Sequence, residues 1–175
     1  AFALSLVLSL VAAEVFVRRW VGAPLAEREP LCLVRAHPTR GWEMVPGKDH
    51  YTYHHRVHVN ALGLRGPELG ARRPEEQRVL FLGDSLTYGQ GVADDETVPF
   101  ALERSLRARD GARPWTVVNA GNRAYGTAQE IGLLAELGAR IQPDVVLLGW
   151  FWNDVNEREI EPTYEAFCER GEFAF

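Results

Sequence analysis

The order of apolar and polar positions divides this chain into stretches of different texture. From Ala1 to Val17 the residues are apolar except Ser5, Ser9 and Glu14, and Arg18, Arg19 and Trp20 follow. A spanning helix needs about 20 apolar residues, and basic and aromatic residues collect where such a helix meets the interface. The run therefore predicts the end of a membrane anchor. A signal-peptide core fits less well, because no small-x-small cleavage site lies beyond it. A buried soluble helix fits least, because nothing in the run alternates with a polar face.

Residues 22–77 are rich in Pro, Gly, His and Arg and predict loops with short strands. Tyr51–Tyr53 and Arg56–Val59 have β-type composition and suggest a small hairpin. Asn60–Pro67 is dense in turn formers. From Arg78 the texture changes. Val79–Leu82 is a continuous apolar run, as a strand buried on both faces requires. A helix follows with Val98, Leu102 and Leu106 on one side and Pro99 in its first turn. Asp94-Asp95-Glu96 precedes it, at the end that favours negative charge. Trp115–Val118 predicts the second strand. The next helix opens with Thr127-Ala128-Gln129-Glu130, a capping-box pattern. It should turn Ile131, Leu134 and Leu137 inward and end near Gly138. Val145–Leu148 predicts the third strand. This alternation implies an α/β fold, a parallel sheet covered on both faces by helices, with active groups at the carboxyl ends of the strands. The expected organisation is an anchor or signal segment at 1–21, an irregular and β extension at 22–77, and the beginning of an enzyme domain at 78–175.

Charge and cysteine content narrow the function classes. The net charge of -5, without any basic run, argues against a nucleic-acid partner. Cys32 and Cys168 have no metal or redox spacing, and whether they pair is open. The chain starts inside an apolar run and stops without a closing helix or turn signal, so both ends are expected to be cut.

Each predicted strand ends in a polar, glycine-bearing cluster: Gly83–Gly89, Asn119–Gly126 and Gly149–Asp154. Ser85, just past a buried strand, is placed to act as a nucleophile while its own N–H faces a developing oxyanion. It could equally be a helix N-cap. Gly83 permits close backbone approach. Asn153 can donate its amide to an oxyanion or merely shape a turn. Asp84 reads as a scaffold hydrogen-bonder and Asp154 as an organiser of the third loop. Gly89-Gln90-Gly91 lacks the third glycine of a dinucleotide fingerprint. His54, His55 and His58 cluster, but no Cys or acidic partner stands at ligand spacing, and a structural or solvated role is the simpler reading.

Gly83-Asp84-Ser85-Leu86 resembles the first block of the SGNH/GDSL hydrolase superfamily. Val117–Gly121 with its sequel resembles the second block, and Asn153-Asp154 the third. Gly41–Gly47 and Asn60–Glu68 resemble a membrane-anchored bacterial branch of it. The resemblance implies a flavodoxin-like three-layer α/β/α sandwich with strand order 2-1-3-4-5, incomplete here at the C-terminus. Val145–Leu148 would then lie at an unpaired edge. It implies a serine ester hydrolase or acyl-transfer enzyme with no metal and no cofactor. Its oxyanion hole would be formed by the N–H of Ser85, a second-block N–H and the amide of Asn153. Registering Asn119 with the family puts Ala124 at the second-block donor, with Gly121 and Gly126 as alternatives. Phe151 stands where the third block has a glycine. The family's general base, a His in Asp-x-x-His, has no counterpart, because all 5 histidines precede Ser85. That base and its Asp are expected to lie outside this chain. The expected substrate is an ester-bearing small molecule or an envelope glycan, met on the extracytoplasmic or periplasmic side of a membrane that holds the N-terminal segment. A membrane-tethered binding module that has lost its chemistry is the alternative.

Overall fold

The computed structural model describes residues 2–21, 28 and 31–155. Helix α1 spans Phe2–Phe16 and continues as a π-helical turn over Val17–Val21. None of its residues is buried. With 15 residues it is shorter than the about 20 that a spanning helix needs, and no helix among the described residues is long and apolar enough to cross a membrane.

Two antiparallel hairpins follow. Strands β1 (Val34–His37) and β2 (Gly41–Met44) form the first, and β3 (His50–Thr52) and β4 (His55–Val57) the second. The second is the hairpin expected from composition. The first went unrecognised because its inward residues, Val34, Trp42 and Met44, are spread over strands of only 4 residues. Beyond them lies an α/β unit of β5 (Gln77–Gly83), α2 (Ser85–Tyr88), α3 (Val98–Arg109), β6 (Trp115–Gly121), α4 (Thr127–Ile141) and β7 (Val145–Gly149). Short 3-10 turns cover Asp94–Glu96 and Trp152–Val155. Strand β5 is central and pairs in parallel with both β6 and β7. All the strands expected after Arg78 form, and each runs on to a glycine.

One apolar cluster joins the sheet to the extension. Leu80, Leu82, Val118 and Ala120 meet Leu133, Leu137 and Ile141 of α4 and also Cys32, Val34, Trp42 and Leu64. At the opposite end of the strands, buried Arg78 donates to Glu76, to the Gly70 carbonyl and to the Ile141 carbonyl at the end of α4. A buried guanidinium is tolerated there because its donors are paired.

Several helical expectations need correction. The cap of α4 is Gly126, whose N–H donates to the Gln129 side chain at 3.0 Å, one residue earlier than Thr127 would place it. The inward row is Leu133, Leu137 and Ile141, an i, i+4, i+8 stripe, while Ile131 is exposed. The helix passes through Gly138 and stops at Gln142, which adopts a left-handed φ of 51°. In α3, Thr97 is the N-cap and Pro99 is buried, but Val98 points outward. Asp94 serves Arg65, at 2.7 Å, rather than the end of that helix. The sheet is not covered throughout, since every residue of Val145–Leu148 in β7 is exposed.

Candidate active site

The carboxyl ends of the three parallel strands carry a row of glycines. Gly83 is in register with Gly121 on one side and Gly149 on the other. Helix α2 sits directly on this row. A Cβ at Gly83 or Gly149 would overlap the Thr87 hydroxyl, and one at Gly121 would overlap the backbone of Tyr88. Only glycines let a helix backbone approach strand ends this closely. Ser85 is the first residue of α2 and is half-buried. The N-cap is Asp84, whose carboxylate accepts Leu86 N–H at 2.8 Å, so Ser85 does not cap this helix. Neither the hydroxyl nor the N–H of Ser85 has a hydrogen-bond partner among the described residues.

The backbone donors that follow the second strand differ in what they bind. Gly121 N–H is spent on the Asn119 side chain at 3.0 Å, and Gly126 N–H on Gln129. The N–H of Ala124 has no partner among the described residues, and Ala124 is exposed. Its φ of 57° is left-handed, a conformation uncommon for a residue with a Cβ. Buried Asn122 packs beside the first loop, its N–H donating to the Gly83 carbonyl at 3.0 Å.

After β7, Trp150, Phe151 and Trp152 are all exposed. Asp154 is buried, and its carboxylate accepts Phe151 N–H at 2.7 Å, which ties the loop into a turn. The backbone of Asn153 belongs to this turn, and its side chain lies outside the described residues, as does Cys168. Cys32 is a buried thiol without a disulfide partner among the described residues, pushed up to about 11 by burial.

The histidines are committed elsewhere. His50 is buried with Nε2 2.7 Å from the Tyr88 hydroxyl, and burial, then the positive charge of Arg65, pushes it down to about 4. It is neutral at ordinary pH. His58 pairs with Asp49 at 2.9 Å, and the rings of His54 and His55 touch each other. His37 lies with Glu43 and Glu136 in a group compact enough for a metal. Its Nδ1 accepts the Arg40 N–H at 3.2 Å, so the proton sits on Nε2, facing Glu136 at 3.1 Å. The Arg40 guanidinium lies 3.0 Å from Glu43 and 3.2 Å from Glu136. Both carboxylates are thus already paired with a cation of the protein's own.

No protein-family profile matches the chain, and no curated protein matches it. Among solved structures it is similar to a mutant of the esterase AlinE4, with 26% identity and a TM-score of 0.42. The likeness covers 48% of this chain and 44% of that one, so the chain spans less than half of the esterase it matches.

Several buried polar residues around this site escaped the sequence reading. Arg65 lay in a segment read as turns and as a family signature, and Trp42 in one read as a family signature, and neither was given a role of its own. The available signal was an arginine followed by Gly-Pro inside a turn of apolar neighbours, which says nothing about where its guanidinium goes.

Proposed function

We propose that this chain carries the nucleophile and oxyanion groups of a serine ester hydrolase or acyl-transfer enzyme of the SGNH/GDSL type. The observation that carries the reading is the set of groups left unspent at the strand ends. Ser85 offers a hydroxyl and an N–H, and Ala124 an N–H, while neighbouring donors are consumed. Backbone donors aimed where charge develops are the usual source of oxyanion stabilisation. The strand order, with the first strand of the unit between the second and third, agrees with the flavodoxin-like arrangement that the resemblance implies.

In this mechanism Ser85 Oγ attacks an ester carbonyl. Its proton passes to a histidine held by an aspartate, both of which we assign outside these residues. The N–H groups of Ser85 and Ala124 and the amide of Asn153 hold the tetrahedral oxyanion. The alcohol leaves, and water or a sugar hydroxyl takes the acyl group. The substrate class is an ester-bearing small molecule or an envelope glycan. Helix α1, apolar and exposed on all sides, is proposed to rest in a membrane, with the α/β unit on the extracytoplasmic side.

The test is covalent labelling of the gene's full-length product with a fluorophosphonate. Ser85 should be the labelled residue, and Ser85→Ala should abolish labelling. Label that persists in Ser85→Ala overturns the assignment, and a folded protein that takes no label favours the non-catalytic binding module.

A further inference from the structure

The extension that precedes the α/β unit reaches both groups assigned to the reaction. Trp42 lies on β2, and its indole N–H donates to the Arg123 carbonyl at 3.3 Å. That carbonyl belongs to the same peptide plane as the Ala124 N–H. Turning this plane over would relieve the left-handed φ of Ala124 and would also point its N–H the opposite way. The bond from Trp42 opposes that turn. Trp42 is itself held, because its carbonyl accepts the Tyr125 hydroxyl, and the two rings meet edge to face at 5.6 Å. Buried Arg40 closes the arrangement by donating to the Tyr125 hydroxyl at 2.6 Å, while its carbonyl accepts the Gln129 amide at 2.8 Å.

Arg65 acts at the other group. It is buried and donates to the carbonyls of Tyr88 at 2.9 Å, Gly89 at 2.8 Å and Val92 at 2.8 Å. Its Nε donates to Asp94 at 2.7 Å, and its guanidinium lies 5.1 Å over the Tyr88 ring. Helix α2 has only 4 residues, too few to be stable alone. Its terminal carbonyls need outside donors, and Arg65 supplies them. Gly89 passes the constraint back, since its N–H donates to the Ser85 carbonyl at 3.1 Å while its own carbonyl is held by Arg65. The Tyr88 hydroxyl is held in turn by His50.

We infer that the extension is a positioning element of the active site: Trp42 orients the peptide that presents the Ala124 N–H, and Arg65 seats the helix that presents Ser85. This rests on the reading of Ser85 as nucleophile and Ala124 as oxyanion donor. Neither Trp42 nor Arg65 touches the reacting atoms. A lysine cannot replace Arg65, because an ammonium cannot span diverging acceptors as a planar fork does.

The experiment measures steady-state esterase kinetics of the full-length protein and its variants, each normalised to folded protein by circular dichroism. Ser85→Ala comes first. If turnover survives it, the nucleophile reading fails and this inference falls with it. If turnover is lost, the positioning variants decide separately. Trp42→Phe keeps an aromatic ring but removes the N–H, and should lower kcat about 10-fold with KM changed less than about two-fold. Arg65→Lys and Arg65→Gln should each lower kcat by roughly 10- to 100-fold with the same small change in KM. Folded variants whose kcat stays within about two-fold of the parent overturn the inference while leaving Ser85 as the nucleophile. A loss confined to KM overturns it as well. Should the Arg65 variants fail to fold, Trp42→Phe decides alone, because an edge-packed ring is retained there.

Discussion

The two flanks of β5 begin from similar sequence and end in opposite situations. On one side, β6 brings Val118 and Ala120 into the core, and its outer edge is closed. Glu103 of α3 accepts Val117 N–H at 2.8 Å, Arg107 donates to the Trp115 carbonyl at 2.8 Å, and Arg65 forms an antiparallel bridge with Asn119. On the other side, Val145, Val146, Leu147 and Leu148 of β7 are 36–46% exposed. Both strands contain a pair of adjacent valines, Val117-Val118 in β6 and Val145-Val146 in β7. The difference lies in what packs against them. Side chains delivered from a neighbouring element close a sheet edge, and among the described residues α3 delivers them to β6 and not to β7.

The sharpest way to break this contrast is to fill the glycine row one flank at a time. Gly121→Ala should destabilise the chain by about 3 kcal/mol or more, since its Cβ meets the backbone of Tyr88, which has nowhere to go. Gly149→Ala should cost clearly less, because its Cβ meets mainly the side chains of Thr87 and Phe81, which can rotate. Urea midpoints at unchanged m-value measure both. Equal losses would mean that α2 leans on the two flanks alike.

Acid titration gives a smaller and more selective effect. Burial pushes the Glu76 carboxyl up, but hydrogen bonds from the Thr116 hydroxyl on β6, the Arg73 N–H and the Arg78 guanidinium outweigh it and hold the group at about 2. A depressed carboxyl stabilises the fold above its unfolded value of 4.5, and that contribution is lost as pH falls from 4.5 toward 2. Glu76→Gln should therefore flatten the stability profile in that window. Asp144, which leads into β7, is also lowered, by its hydrogen bond from Arg72, but it is exposed. Asp144→Asn should flatten the profile much less. Chemical denaturation at a series of pH values compares the two.

The smallest effect is expected on β7. Val146→Lys should change stability by no more than about 0.5 kcal/mol, yet reduce self-association of the chain, because a lysine on an open edge discourages pairing with another strand. Sedimentation velocity reads the second effect, and a large loss of stability would show that β7 is better packed than its exposure indicates.

The reading from sequence was most accurate where the signal is local and continuous. Each strand after Arg78 was legible as a largely apolar run, and Asp84 at the end of the first was legible as a scaffold hydrogen-bonder, which the structure places at the N-cap of α2. Register was not legible. That Gly83, Gly121 and Gly149 stand side by side depends on strand pairing across long separations. The inward face of α4 was misassigned because Ile131 and Leu133 are equally apolar, and only the neighbours of the helix choose between them.

The kind of each element is readable from the chain alone, since hydrophobic periodicity and turn chemistry act between near neighbours. So is the candidate nucleophile, because the strand, glycine, acid and serine are contiguous. Which peptide groups are engaged was settled in three dimensions. Some partners are near in the chain, as the Asn119 side chain is to the Gly121 N–H two residues on, but others are far, as the Trp42 indole is to the Arg123 carbonyl. The same holds for the buried cation Arg65, whose acceptors are carbonyls. Carbonyls are present at every residue, so no pattern of side chains announces which ones will need a partner.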